Sequence, residues 1–267
     1  MSVLPGLLDV VAGEAADIWV GAASGPPGKR AFGGLLMAQS LAAACHTVEP
    51  DKRPTSMHLQ YLRGGEAGEA VDYAVNRVYD GRTAASRRVE SFQAGRMLTV
   101  ASVLFSAELA GPSHGQLSSL PGDPELLPLT GPPGPAPALP LDELDIRIED
   151  DRMWGEFVRR MWWRVTVPLP PEQLPHMLIA AYITDLYGID PALQTHGHSM
   201  QSRSHRSGTT DFAMWFHHPI RADQWNLLES RSPAAGRGRG VITARLIGAD
   251  GTVAATLVQE GMVADRE

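Results

Sequence analysis

Hydrophobic and polar positions follow the same order in the two halves of the chain: a long apolar segment comes first, and several shorter ones follow. The first long segment, 32–45, is rich in Ala, Leu and Met and has glycines only at its start. The second, 175–187, begins with a proline, which suits a first helical turn. Both compositions favour helices. Because these helices have so little polar surface, other structure must enclose them, such as a curved sheet.

Segments with the composition of β-strands follow each predicted helix, and one further strand precedes it. Asp80-Gly81 and Asp250-Gly251 separate neighbouring segments as hairpin turns do. The predicted fold class is therefore α+β, in which each half has one helix lying across a curved antiparallel sheet. The predicted strands are 17–21, 57–62, 70–79, 83–93 and 96–106 in the first half, and 162–167, 212–217, 225–230, 240–247 and 252–261 in the second.

A proline-rich segment separates the halves. Nine of the 21 prolines lie between Pro112 and Pro140, which is incompatible with a helix or a central strand. We therefore predict an N-terminal unit over 1–110, a Pro- and Gly-rich linker over 111–144, and a C-terminal unit over 145–267.

Composition excludes several classes of function. The 267 residues carry 23 Lys plus Arg against 30 Asp plus Glu, a net charge of -7, and the basic residues are not concentrated in one segment. This argues against a nucleic-acid partner. The single cysteine, Cys45, excludes an internal disulfide and a zinc finger. No apolar run approaches the roughly 20 residues of a membrane span, and no signal peptide is indicated, so we expect a cytoplasmic protein.

Three polar side chains interrupt apolar segments of the second half. Asp185 lies near the end of the second predicted helix, Thr209 precedes a buried strand, and Gln259 lies inside the last strand. Taken singly, each has a structural interpretation as well: a helix cap, a turn and a structural bridge. Together they suit hydrolysis without a metal, because a carboxylate can take a proton from water while a hydroxyl and an amide orient both groups toward a carbonyl.

Several phrases of the sequence resemble the type II acyl-CoA thioesterase family. They occur in the family's order and extend from about residue 15 to residue 263, apart from the linker. The resemblance implies a double hotdog fold, in which two tandem units each wrap a curved antiparallel sheet around a central helix. It also implies hydrolysis of fatty acyl-CoA to free fatty acid and coenzyme A by a homo-oligomer. The phrases are 31–35, 56–63, 80–83, 87–89, 211–217 and 258–261.

The same resemblance implies that Asp185, Thr209 and Gln259 are the catalytic residues, with no cofactor and no metal. Asp185 would activate a water oriented by the other two. Two other functions on this scaffold stay open: a non-catalytic acyl-CoA binding module and an enoyl-CoA hydratase. The hydratase family typically has an Asp followed, after four intervening residues, by a His, a pair that this sequence lacks.

Four weaker candidates are interpreted mainly as structural. Cys45 lies among alanines and is expected to be an inert thiol. His196 and His198 lack further metal ligands at a useful spacing. The Gly- and Arg-rich run 236–240 suits either phosphate groups of coenzyme A or a solvated turn. His58 either faces the ligand or is a buried core histidine.

Overall fold

The computed structural model describes residues 3–22, 24–25, 27–130, 141–153 and 156–266. These residues form two compact units, each containing six antiparallel strands. The first unit comprises the described residues up to His114 together with Leu169–Ile183. The second comprises the described residues from Gly115 to Pro168 and those from Thr184 onward.

The elements of the first unit that precede His114 are α1 (Leu4–Leu8), β1 (Val10–Ala12), β2 (Ile18–Gly21), α2 (Gly33–Cys45), β3 (Lys52–Tyr61), β4 (Val71–Asp80), β5 (Ala84–Gln93) and β6 (Arg96–Ala107). Its six strands have the spatial order β1-β2-β4-β5-β6-β3, all antiparallel. A short helix, α1, precedes them, and the long helix α2 follows β2. Strands 57–62, 70–79, 83–93 and 96–106 were predicted close to these positions.

Helix α2 is buried along nearly its whole length, from Gly34 to Ala44, as its composition predicts. Its one long polar side chain, Gln39, is fully buried, and both ends of its amide are hydrogen-bonded. The Gln39 amide donates to the carbonyls of Leu7 and Ala22 and accepts a bond from the Tyr73 hydroxyl at 2.8 Å. A buried amide is tolerated there because each of its polar atoms is satisfied.

The elements of the second unit are β7 (Leu144–Met153), β8 (Glu156–Val165), α4 (Asp190–Gln194), β9 (His205–Phe216), β10 (Asn226–Gly236), β11 (Arg239–Gly248) and β12 (Val253–Asp265). Its six strands have the spatial order β9-β12-β11-β10-β8-β7, again all antiparallel. Helix α3 (Gln173–Thr184) lies between β8 and α4 in the chain, but its residues up to Ile183 belong to the first unit.

Several strands of the second unit differ from their predictions. Strand β8 begins six residues before the predicted start, and β10 and β12 extend six and four residues beyond the predicted ends. Strand β7 was not predicted because most of its residues are charged rather than apolar; as an edge strand it pairs those charges with β8, for example Asp150 with Arg159 at 2.7 Å. Strand β9 begins at His205, seven residues before the predicted start. The prediction missed these residues because the first half of the strand is polar and only partly buried.

Part of the predicted linker is integrated into the second unit. Leu117, Leu120 and Leu127 pack against a buried cluster of Trp162, Leu227 and Ile247 on the sheet. Residues 131–140, the center of the predicted linker, lie outside the described residues, so the domain boundaries stay a prediction. Among the residues that the structure describes, no helix is long and apolar enough to cross a membrane.

Candidate active site

Asp185 is the first residue after helix α3, whereas the sequence predicted that the helix continues to Tyr187. Beyond the end of the helix, Tyr187 adopts the left-handed conformation, with φ of 56°, and the chain turns there. The backbone N–H of Gly188 donates to the carbonyl of Asp185 at 3.4 Å, and that of Asp190 donates to Tyr187 at 3.0 Å. This tight turn leaves Asp185 half-buried at the end of the helix.

Thr209 and Gln259 come from the neighbouring strands β9 and β12. Gln259 lies opposite Phe212, and Gly261 lies opposite Thr209, with an irregularity between them. Phe212 lies three positions after Thr209, so a regular strand would place their side chains on opposite faces. The irregularity is a β-bulge in which Thr210 is the extra residue, and it returns Thr209 to the face that carries Gln259.

The structure brings all three predicted residues into direct contact. The Thr209 hydroxyl donates to Asp185 Oδ1 at 2.9 Å. The Gln259 amide nitrogen, Nε2, donates to the same carboxylate oxygen at 3.3 Å and to Thr209 Oγ1 at 2.5 Å. Each polar group therefore fixes the other two, and the carboxylate is held by donors that favour its charged form.

The remaining polar atom of Gln259 is an acceptor with no partner among the described residues. The side chain is 1% exposed, yet its carbonyl oxygen, Oε1, accepts no hydrogen bond. Leaving a buried acceptor unsatisfied costs about 1–3 kcal/mol, which suits a site that a small polar molecule occupies during function. Gln259 borders a cavity with room for about one water molecule.

Gly188 also borders this cavity, and sequence reasoning missed it. A Cβ on Gly188 would lie 2.5 Å from Gln259 Oε1 and 2.9 Å from Nε2, so only glycine allows this approach. The signal was present: Tyr187-Gly188 ends a long apolar segment, which is typical of a helix C-terminus.

Arg159 of β8 and Tyr187 are two further residues that line the same cavity. Burial by itself would lower the pKa of Arg159, but hydrogen bonds to Asp150 and the charges of Asp190 and Asp150 outweigh this and raise it. Burial also raises the pKa of Tyr187, and the positive charge of Arg159 opposes this shift only in part. The site therefore has a firmly charged guanidinium and a neutral phenol beside it.

The weaker candidates lie elsewhere. Burial raises the pKa of the Cys45 thiol at the end of α2 to about 12, in agreement with the expectation of an inert thiol. His58 is exposed on β3, so its interpretation as a core histidine is wrong. Arg239 binds Thr210 and Glu260 at 3.0 and 3.3 Å. Among the described residues, no group of three His, Cys, Asp or Glu is placed to hold a metal ion.

Comparison with known proteins gives the family. The model named "Acyl-CoA thioesterase C-terminal domain" matches residues 121–263, and the corresponding N-terminal domain model matches residues 22–106. The chain belongs to the acyl-CoA thioesterase family. Human acyl-coenzyme A thioesterase 8 is 31% identical to it over 261 residues, covering 89% of this chain and 81% of the relative.

Solved structures agree with this thioesterase assignment. The acyl-CoA thioesterase II TesB2 from Mycobacterium marinum is 28% identical, with a TM-score of 0.85 over 100% of this chain and 98% of that one. A conserved protein of unknown function with a hot dog fold from Alicyclobacillus acidocaldarius is 17% identical, with a TM-score of 0.79 over 100% of both chains, which supports the fold alone. The predicted family, the α+β double hotdog class and the prediction of a thioester hydrolase are confirmed.

Proposed function

We propose that this thioesterase hydrolyses fatty acyl-CoA to free fatty acid and coenzyme A, and that Asp185 is the general base for a water oriented by Thr209 and Gln259. One observation carries the proposal: three side chains from a helix end and two strands share one set of hydrogen bonds, and the buried Gln259 Oε1 still needs a donor. The acyl-CoA substrate is carried over from the relatives' names.

The reaction assigns each atom a role. A water donates one hydrogen to Gln259 Oε1 and gives the other, as a proton, to the Asp185 carboxylate. Its oxygen forms a bond with the thioester carbonyl carbon, and backbone N–H donors stabilise the resulting oxyanion. When the C–S bond breaks, coenzyme A leaves as a thiolate and takes the proton back from Asp185. A thiolate is a good leaving group, so no stronger acid is required.

Thr209 and Gln259 have a second task in this mechanism, which is to hold the base. Both donate to Asp185 Oδ1, so the carboxylate cannot rotate without losing two hydrogen bonds. A fixed base and a fixed water convert the attack into a near-unimolecular step, which is a major source of rate enhancement.

The test measures free thiol release from a series of acyl-CoA substrates, from acetyl to palmitoyl, with wild type and Asp185→Asn. Circular dichroism and thermal melting first establish that both proteins are folded. Release that peaks at one chain length and collapses in Asp185→Asn supports the proposal. A folded Asp185→Asn protein with normal turnover contradicts it.

The same assay separates the two alternative functions. Tight acyl-CoA binding without thiol release from any substrate would indicate a binding module. Loss of the enoyl absorbance of an enoyl-CoA without thiol release would indicate a hydratase. The proposal also includes a homo-oligomer and a cytoplasmic location, which light scattering of the purified protein and cell fractionation test.

A further inference from the structure

Two consecutive arginines on β8 have different roles because successive side chains on a strand point to opposite faces of the sheet. Arg159 borders the cavity next to Gln259. Arg160 lies on the other face, where it contacts Glu229 at 3.4 Å and Asp151 at 3.5 Å. Both are nearly buried, at 7% and 10% side-chain exposure, so they form a matched pair for comparison.

The guanidinium of Arg159 is fixed on several sides. Its Nε and Nη2 groups donate to the two oxygens of Asp150 at 2.7 Å each, a bidentate pair. Its Nη1 group donates to Asp190 Oδ2 at 2.5 Å. The rings of Phe157 and Tyr187 lie 5.5 and 5.4 Å from its central carbon. This planar, multiply bonded geometry is one that a lysine cannot reproduce.

Two of these contacts are made to the loop that follows Asp185. Tyr187 is the residue with positive φ that turns the chain, a conformation that surrounding contacts must maintain. Asp190 begins helix α4, and its Oδ1 accepts a bond from the Met200 N–H at 2.7 Å. Between Tyr187 and Asp190 lies Gly188, packed against the Gln259 amide.

We propose that Arg159 is a positioning residue for the thioesterase reaction: by holding Tyr187 and Asp190 from β8, it fixes the loop that carries Asp185 and presses Gly188 against Gln259. The inference rests on the proposed function, because it assumes that Asp185 is the base. Arg159 acts through the loop and does not touch the reacting atoms. Its N–H groups at Nε, Nη1 and Nη2 bind carboxylates of the protein itself.

The experiment compares Arg159→Met and Arg159→Lys with Arg160→Met and Arg160→Lys in the full chain. We expect Arg159→Met to lower kcat about 100-fold, the loss typical of a displacement of about 1 Å at a catalytic group. KM should stay within about 3-fold in this variant, because positioning of the base matters to the chemical step more than to substrate binding. Arg159→Lys should recover only part of the loss, and the Arg160 variants should keep the wild-type kcat.

Thermal melting accompanies the kinetics, because removal of Arg159 leaves the buried Asp190 with one partner fewer and removal of Arg160 does the same to the more exposed Glu229 and Asp151. If Arg159→Met does not fold, the kcat values of Arg159→Lys and Asp150→Asn test the inference instead. Asp150 is 37% exposed, so Asp150→Asn weakens the ion pair with Arg159 without burying a new polar group. A folded Arg159 variant with wild-type kcat overturns the inference. Equal losses of kcat in the Arg159 and Arg160 variants also overturn it, because they would indicate a general effect on the fold.

Asp185→Asn, measured in parallel, separates the two proposals. If Asp185→Asn turns over normally, the proposed function itself fails. If Asp185→Asn is inactive while the Arg159 variants are unaffected, only the positioning role fails.

Discussion

Replacing Gly188 with alanine tests the site by adding one methyl group. The new Cβ would lie 2.5 Å from Gln259 Oε1, whereas ordinary contact begins at 3.4 Å, so the two groups must separate by about 0.9 Å. No positive φ is involved at Gly188, so the effect is steric and not a backbone preference.

Gln259 cannot move away without cost. Its Nε2 group binds Thr209 and Asp185, and its backbone lies within β12 between β9 and β11. The loop or the amide must therefore yield, and overpacking of this kind costs about 1–3 kcal/mol of stability. A displacement close to 1 Å in the base or in the water-binding amide lowers kcat about 100-fold.

The assay is thiol release at saturating acyl-CoA, with thermal melting of the same protein samples. Gly236→Ala is the matched control: this glycine also lies in the second unit, its added Cβ would meet nothing within 4 Å, and its φ is not positive. We expect that control to keep the wild-type kcat and to change stability by less than about 0.5 kcal/mol. If Gly188→Ala folds and has the same kcat as Gly236→Ala, then turnover does not require the close packing of this loop on Gln259, and the reasoning is wrong.

Three further predictions follow from the same geometry. Asp185→Asn should lower kcat by about 100- to 10,000-fold with little change in KM, measured by thiol release, because the amide cannot accept the proton. Thr209→Val removes the donor to Asp185 and should lower kcat, whereas Thr209→Ser keeps the hydroxyl and should retain most activity in the same assay. Because burial raises the pKa of Cys45 to about 12, its thiolate is much scarcer at pH 8 in the folded protein than in the unfolded one, so a colorimetric thiol reagent should react slowly with native protein and quickly in denaturant.

The apolar helices and most strands were predictable because local composition determines them. Helix α2 is surrounded on nearly all sides, as its lack of a polar face indicates. Strand β7 escaped prediction because its stability depends on charge pairs with β8 across the sheet, a long-range property. The early part of β9 escaped because its polar residues show no apolar pattern, although they pair regularly with the end of β12.

The site was predictable only in part. The family resemblance assigned Asp185, Thr209 and Gln259, and these three residues meet in the structure. Gly188 and Arg159 were missed for a physical reason: their roles depend on the turn at Tyr187 and on contact with residues distant in the sequence. No local pattern indicates that Gly188 packs against the amide of Gln259, which lies 71 positions later in the sequence.

The bulge at Thr210 makes the length of strand β9 as important as its composition. Without the bulge, the interval of three positions between Thr209 and Phe212 would place the hydroxyl on the opposite face from Gln259, whereas an interval of two would keep it on the same face in a regular strand. The interval of three positions therefore requires the bulge, and an interval of two does not. In a relative that has Asp, Thr and Gln at equivalent positions and an interval of two here, the hydroxyl would reach the other two groups from a strand without a bulge.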